Sequence, residues 1–450
     1  MDSDKLKEQV ELIRQVFEYV QLFKGKTIVL KIDGSVMDHP FLPMLVKDLV
    51  LLHRQGIQIV LVPGAKERIN DVLTRYNIPW ETVKGTRIST PEAIPFIKMA
   101  AFDVSNRLMT QLAENNTSAI IGNWVRARSL GVLKGVDYQE TGTVENINVG
   151  LVRKALEDGL IPIFPNIGWS ATGKPYNISS NELAYILARS LKAEKLFYIF
   201  PHQGVNAVEY TLPERISISS EGVVTHLSVD QADSFLELNA GKAQDEMVEL
   251  IRLGCKACAE GVARVHIVNG KIEGVILKEI FSSRGCGTMI YTNEHENIRP
   301  MHLADIPEVL RIMNPFVEEE ILLPRNEEDL AAQVDEFVVY EVDNIFHACG
   351  ALFPAPDASG RGEIAAIAVD HTYTGLGIGK RILSFLVDRA RSLNIKNLYV
   401  LTTRTADWFL QFGFIEGGIQ DLPANKRKDY NRLRNSRVLL LDLEDFRSVP

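Results

Sequence analysis

From Lys26 to Gly270 the sequence alternates short apolar runs with amphipathic helical stretches, and this alternation most limits the folds open to it. "KTIVLKI" (26–32) is followed by a Gly34-Ser35 turn and the helical "LPMLVKDLVLLHRQG" (42–56). "IQIVLVPGA" (57–65) leads into "KERINDVLTRYN" (66–77). "TSAIIG" (117–122), "LIPIFPNIG" (160–168), "NELAYILARSLKAEKLFYIF" (181–200) and "VARVHIVNG" (262–270) continue the series. Strand-like runs separated by helices of about 10–15 residues predict an α/β unit, a mainly parallel sheet between helices. After "GTMIYTNEHENIRP" (287–300) the pattern restarts. Polar residues 291–298 therefore read as a linker between a first unit, 1–290, and a second, 299–450. A chain of 450 residues is too long for one ordinary core, and no repeat of about 20–50 residues is visible.

Composition narrows the function classes. With 46% hydrophobic and 24% charged residues each unit can bury a core, and a net charge of −9 argues against nucleic-acid or membrane-surface binding. No apolar stretch approaches the roughly 18 residues of a membrane span. The N-terminus carries acidic residues throughout and no cleavable apolar region, so a cytoplasmic protein is expected. Leu6, Val10, Ile13, Phe17 and Val20 recur at helical spacing and predict a helix that stays on the protein. Cys255 and Cys258 form a C-x-x-C inside a helical pattern, but a zinc site needs a second ligand pair. They read as reduced, packed thiols, and no metal is expected.

In the second unit "GEIAAIAVD" (362–370) reads as a strand, "HTYTGLGIG" (371–379) as a turn and "KRILSFLVDRARSLN" (380–394) as a helix. Gly375, Gly377 and Gly379 let successive backbone N–H groups converge, and the helix start adds positive potential, which together make a pyrophosphate cradle. A dinucleotide fingerprint would share this order, but it needs an acidic strand end about 20 residues on. The next strand-like run is instead "NLYVLTTRT" (397–405), followed by "ADWFLQFGFIEGG" (406–418).

This segment resembles the acetyl-CoA motif of the GNAT acetyltransferases, V-x-x-x-x-R/Q-G-x-G-I/V-G, with a later Gly413-Phe414 pair. The resemblance implies an α+β GNAT fold with acetyl-CoA as co-substrate. Ala368 and Val369 would meet the pantetheine arm, and Gly375, Gly377, Gly379 and Lys380 the pyrophosphate. Thr374 stands where Arg or Gln is usual, a modest loss because the contacts run through the backbone. Direct acetyl transfer requires the attacking amine to lose a proton and favours a departing sulfur that gains one. Glu363 is the candidate base, through water, and Thr402 or Thr403 the candidate donor to sulfur. Otherwise they are a strand-end carboxylate and ordinary strand threonines.

The first 290 residues resemble the amino-acid kinase fold, acetylglutamate kinase in particular. The whole arrangement is similar to the bacterial N-acetylglutamate synthase family, on "LLHRQGI" (51–57), "GVDYQETGTV" (135–144), "ARSLKAEKL" (188–196) and "RKDYNRLRNSRVL" (427–439). It implies an amino-acid N-acetyltransferase that makes N-acetyl-L-glutamate from L-glutamate, the first step of arginine synthesis. Leu323, Arg325, Arg434 and Ser436 match the family's glutamate-binding positions. The kinase's phosphate-handling parts are altered: Lys31-Ile32-Asp33-Gly34 for K-x-G-G, Pro63-Gly64-Ala65-Lys66 for H-G-G-G, Asn181 for the acid, and Phe200-Pro201-His202 for S-D-V. An acid beside a triphosphate is repulsive, so a catalytically dead kinase-like unit is expected. The resemblance further implies feedback inhibition by arginine, bound by Tyr19, His266, Glu279, Ser282, Gly285 and Gly287, and a homo-oligomer, a hexamer interlaced by its first helix. Glu279 would take the guanidinium. Two other readings stay open: an active acetylglutamate kinase with an accessory GNAT unit, and a non-catalytic arginine or CoA sensor.

Overall fold

The computed structural model describes residues 16, 20–213, 216, 218–219, 221–281, 286–292, 296–342, 345–355, 360–370 and 377–446. The chain divides into two compact units, Met1–Asn293 and Glu294–Pro450.

Eight strands make the main sheet of the first unit. They are β1 Thr27–Ile32, β2 Gln58–Pro63, β3 Ala119–Ile121, β4 Ile161–Ile163, β5 Lys195–Phe200, β6 His226–Ser228, β7 Arg264–Asn269 and β8 Thr288–Tyr291. Their order is β6-β8-β7-β5-β1-β2-β4-β3, parallel throughout except where β8 runs against β7. Successive side chains of a strand point to opposite faces, and both faces are covered. Ile28, Leu30 and Ile32 pack with helices Leu42–Arg54 and Ile94–Glu114, while Val29 packs with helices Ser180–Leu191 and Glu246–Ala259. Double coverage is why these strands read as continuous apolar runs. Lys31, Lys195 and His266 interrupt those runs and are each only 2% exposed. Of the apolar positions expected on the first helix, Val20 is described and buried, while Leu6, Val10, Ile13 and Phe17 lie outside the described residues.

In the second unit the strands are β9 Glu296–Pro300, β10 Phe337–Val342, β11 Ile345–Pro354, β12 Arg361–Val369, β13 Asn397–Thr402, β14 Ile415–Gly417 and β15 Arg437–Asp442, in the order β9-β10-β11-β12-β13-β15-β14. Residues 296–298, read as linker from their polarity, belong to β9 and pair with β10. An edge strand tolerates polar composition that a central one does not. Every pair is antiparallel except β12 with β13, which are joined through helix Ile378–Ser392. That helix buries Ile382, Leu386 and Ala390 on one face of the sheet, and helix Ile306–Glu318 buries Val309, Ile312 and Met313 on the other.

Candidate functional site

The site begins with an irregularity in β12. Ala366 has φ 54, a left-handed conformation that costs an alanine about 1–3 kcal/mol. The pairing with β11 steps from Ala351↔Ala365 to Cys349↔Ala368, so one extra residue is held in β12, a β-bulge. The face pattern shifts accordingly: Ile364 packs in the cluster beneath helix Ile378–Ser392, but Ala366 and Ala368 pack in the opposite one. On its other edge β12 pairs with β13 only from Arg361↔Asn397 to Glu363↔Tyr399. Beyond Glu363 the two strands part, and residues of both line a cavity of about 700 Å³.

The cavity gathers most of the residues singled out from sequence. Leu323, Arg325, Glu363, Val369, Gly377, Gly379, Lys380, Thr402, Arg434 and Ser436 all line it. Ala368 does not; its side chain is buried in the cluster under helix Ile306–Glu318. Thr374 and Gly375 lie outside the described residues. Gly377 caps helix Ile378–Ser392 with φ 74, and a Cβ there would meet nothing within 4 Å among the described residues. The backbone N–H groups of a helix start favour an anion. Gly379 admits Trp408, whose Cζ2 would lie 3.4 Å from an added Cβ.

Glu363 is buried near the mouth of the strand wedge, with Lys426 Nζ 2.6 Å from its Oε2. The contact falls outside the directional range of a hydrogen bond and is an ion pair. Thr402 Oγ1 lies 2.8 Å from Thr405 Oγ1 and accepts the Thr405 N–H at 3.0 Å. Thr402 lines the cavity and Thr403 does not, which separates two neighbours that sequence left equivalent. Burial pushes the Arg325 guanidinium below its ordinary value, with Glu363 partly offsetting this. Its guanidinium carbon lies 5.6 Å from the Phe337 ring centroid and 6.0 Å from that of Phe353. Among the described residues no carboxylate lies within ion-pair distance of Arg325. Arg434 donates to the Ile321 carbonyl at 2.6 Å, tying its loop to the segment that carries Leu323 and Arg325. Sequence reading missed Lys426, Trp408 and Thr405, whose residue types recur throughout the chain and carry no spacing signal.

The first unit holds two polar sites. At the end of β1, Lys31 Nζ pairs with Asp33 Oδ2 at 2.8 Å. Burial works against the Asp33 charge, but Lys31 and the Ser35 donors outweigh it and hold the carboxyl below its usual range. The lysine that would face a phosphate is neutralised from within. A Cβ at Gly34 would fall on the Glu67 carboxylate, so this turn is filled rather than open. The second site lies on β7, where His266 Nδ1 is 2.8 Å from Glu279 Oε1 and the Cys286 N–H donates to Glu279 Oε2 at 2.6 Å. His266 stacks on Phe197 at 4.6 Å. Burial pushes His266 down to about 4, so it is neutral at pH 7 and Nδ1–H donates to Glu279. Burial disfavours the Glu279 charge, yet His266 and the Cys286 amide hold its carboxyl below the usual range. Both oxygens thus already accept a hydrogen bond, and each keeps a lone pair for a further donor. Lys195, not anticipated, acts on both groups. A Cβ at Gly287 would strike the Ile267 carbonyl. Tyr19, Ser282 and Gly285 lie outside the described residues.

Residues 26–269 match the amino acid kinase family and residues 303–414 the acetyltransferase (GNAT) family. The amino-acid acetyltransferase of Yersinia pseudotuberculosis is 33% identical over 455 residues, covering 98% of this chain and 100% of the relative. The chain belongs to the amino-acid acetyltransferase family. It is an acyltransferase with a kinase-like first unit and a GNAT second unit. Within this family it is similar in structure to N-acetylglutamate synthase from Neisseria gonorrhoeae complexed with coenzyme A and L-arginine: TM-score 0.82, 31% identity, 96% of this chain and 99% of the other. The same synthase complexed with coenzyme A and N-acetyl-glutamate matches with a TM-score of 0.60, at the same identity and coverage. Among the described residues of this amino-acid acetyltransferase, no cluster of three His, Cys, Asp or Glu could hold a metal ion, and no helix is long and apolar enough to cross a membrane.

Proposed function

We propose that this acetyltransferase moves acetyl from acetyl-CoA to L-glutamate, giving N-acetyl-L-glutamate and CoA as the first step of arginine synthesis, and that arginine inhibits it through the kinase-like unit. The observation that carries this reading is one cavity holding a buried carboxylate, an arginine with no anion partner among the described residues, and a helix start open to solvent. The amides around Gly377, with Lys380, take the pyrophosphate, and the parted edge of β12 takes the pantetheine arm. Arg325 and Arg434, with Leu323 and Ser436, hold glutamate by its carboxylates, which calls for cations. Glu363 accepts a proton from the substrate ammonium, directly or through water, and the neutral amine then attacks the thioester carbonyl. As the C–S bond breaks, Thr402 provides the hydrogen bond through which the sulfur regains a proton.

Arginine is a fitting effector for the buried Glu279, with its guanidinium to the carboxylate and its own carboxylate toward Lys195. His266, Gly287 and the undescribed Tyr19, Ser282 and Gly285 complete that proposed site. The four free thiols suit a reducing cytoplasm. The resemblance of the N-terminal helix supports a homo-oligomer, a hexamer, which light scattering in solution would test. The paired Lys31 and filled Gly34 turn weigh against kinase activity. The decisive experiment runs a thiol-release assay with glutamate and acetyl-CoA beside an ATP-coupled assay with N-acetylglutamate. Thiol release alone, diminished by arginine, is the expected result; ATP turnover alone would overturn the reading.

A further inference from the structure

The ion pair of Glu363 with Lys426 is a difficulty for the reaction just proposed, and resolving it assigns Lys426 a role. A general base must offer a carboxylate oxygen to the proton it takes, and a cation in contact with that oxygen competes with the substrate ammonium for it. In the cavity Glu363 carries such a cation at 2.6 Å and feels Arg325 as well. The other titratable groups around it are Lys380, Asp429, Tyr430 and Arg434, which line the same cavity, and Tyr399, which is opposite in register on β13. Asp429 is the one other carboxylate among the described lining residues. The substrate adds two more. Its α-carboxylate sits on the same carbon as the reacting amine, so bringing that amine to Glu363 brings a second negative charge within a few ångströms of the first. Like charges that close cannot both stay ionised unless a cation lies between them.

We propose that Lys426 is a positioning residue that occupies Glu363 in the empty site and turns to the α-carboxylate of the bound amino acid, so that an α-amino acid uncovers its own base. Its placement allows this. Lys426 is 39% exposed on the short helix Ala424–Lys428, whereas Glu363 is 9% exposed and fixed in a strand. The ammonium, the more exposed of the two, has the room to change partner. No proton moves in the exchange, only an ion-pair partner. Lys426 would thereby select for the α-carboxylate, leaving Arg325 and Arg434 for the γ-carboxylate.

This rests on the proposed glutamate acetylation, and the test keeps the two separable. Wild type, Lys426→Met and Lys426→Arg are assayed with glutamate, its α-amide isoglutamine and its γ-amide glutamine. kcat and KM for glutamate are measured separately for each. In wild type, isoglutamine should be far poorer than glutamate. In Lys426→Met that particular ratio should collapse by about tenfold or more, while the glutamine-to-glutamate ratio and the KM for acetyl-CoA hold. Lys426→Arg should keep the discrimination and recover much of the rate. A Lys426→Met enzyme with intact discrimination against isoglutamine overturns the role of Lys426. A wild type inactive on glutamate overturns the proposed reaction instead.

Discussion

Two strand–turn–helix junctions in this chain carry glycines where a phosphate is expected, and they have opposite fates. After β1 the turn at Gly34 is occupied from within: Lys31 is paired with Asp33, and the Glu67 carboxylate lies where a Cβ would go. The helix that follows, Gly34–Met37, is four residues long, and the Asp33 side chain already accepts the Ser35 N–H. After β12, Gly377 opens a helix of 15 residues, with nothing among the described residues within 4 Å of a Cβ on it and a cavity beside it. The backbone plan is shared; the difference is which donors are left unpaired. An anion site is closed most economically by supplying a carboxylate from the chain itself.

That contrast can be broken or sharpened by substitution. The largest effect is expected at the base: Glu363→Gln should lower kcat by about 10²–10⁴-fold, with the deficit shrinking as pH rises and more glutamate is already neutral at nitrogen. Wild-type turnover in the variant at neutral pH would remove Glu363 from the chemistry. Next comes the open turn. Gly377→Val puts a branched side chain at φ 74 and into the cradle, and losing two N–H contacts to a charged group at about 1.5 kcal/mol each predicts a KM for acetyl-CoA raised about 100-fold. Unchanged binding by calorimetry, with melting intact, would move the pyrophosphate elsewhere.

Arg434→Ala should impair glutamate use by about 10- to 150-fold and leave acetyl-CoA binding alone, the span of one charge-assisted hydrogen bond. Equal losses for both substrates would point to damage through the Ile321 contact instead. In the first unit, Glu279→Ala should abolish an arginine effect of the usual 5- to 150-fold size while changing the rate without arginine far less. A titration of arginine against initial rate decides it, and retained sensitivity would dismiss the site. The smallest effect is at the filled turn. Millimolar ATP should leave the melting temperature of wild type unchanged, where occupancy at 100 times Kd would add about 2.7 kcal/mol of stability. Asp33→Gly, which releases Lys31, is the variant in which a shift with ATP or inorganic triphosphate should first appear.

Much of this was legible in the chain before any coordinates. Doubly covered strands must be apolar throughout, so β1, β2, β5 and β7 stand out as runs, and the two-unit division follows from where that rhythm stops. Gly377 marks the start of helix Ile378–Ser392, since few other residues adopt its φ of 74, although the sequence pattern placed that start at Lys380 and left Gly379 in the turn. The substitutions in the kinase motifs already spoke against phosphate transfer, since Asp33 lies two residues from Lys31 and local spacing alone makes their pairing easy. Three things waited on the tertiary structure. The bulge at Ala366 shifts the alternation of β12, placing Ala366 and Ala368 in the cluster opposite Ile364, and an alanine gives no sequence sign of it. Thr402, the last residue of β13, lines the cavity, whereas Thr403 beyond the strand end does not, and only the packed structure distinguishes them. Lys426 meets Glu363 across 63 positions of chain, so their ion pair exists only once the unit has packed. Composition, period and turn chemistry act over a few residues and are written locally; contacts between residues far apart in sequence exist only once the core has packed.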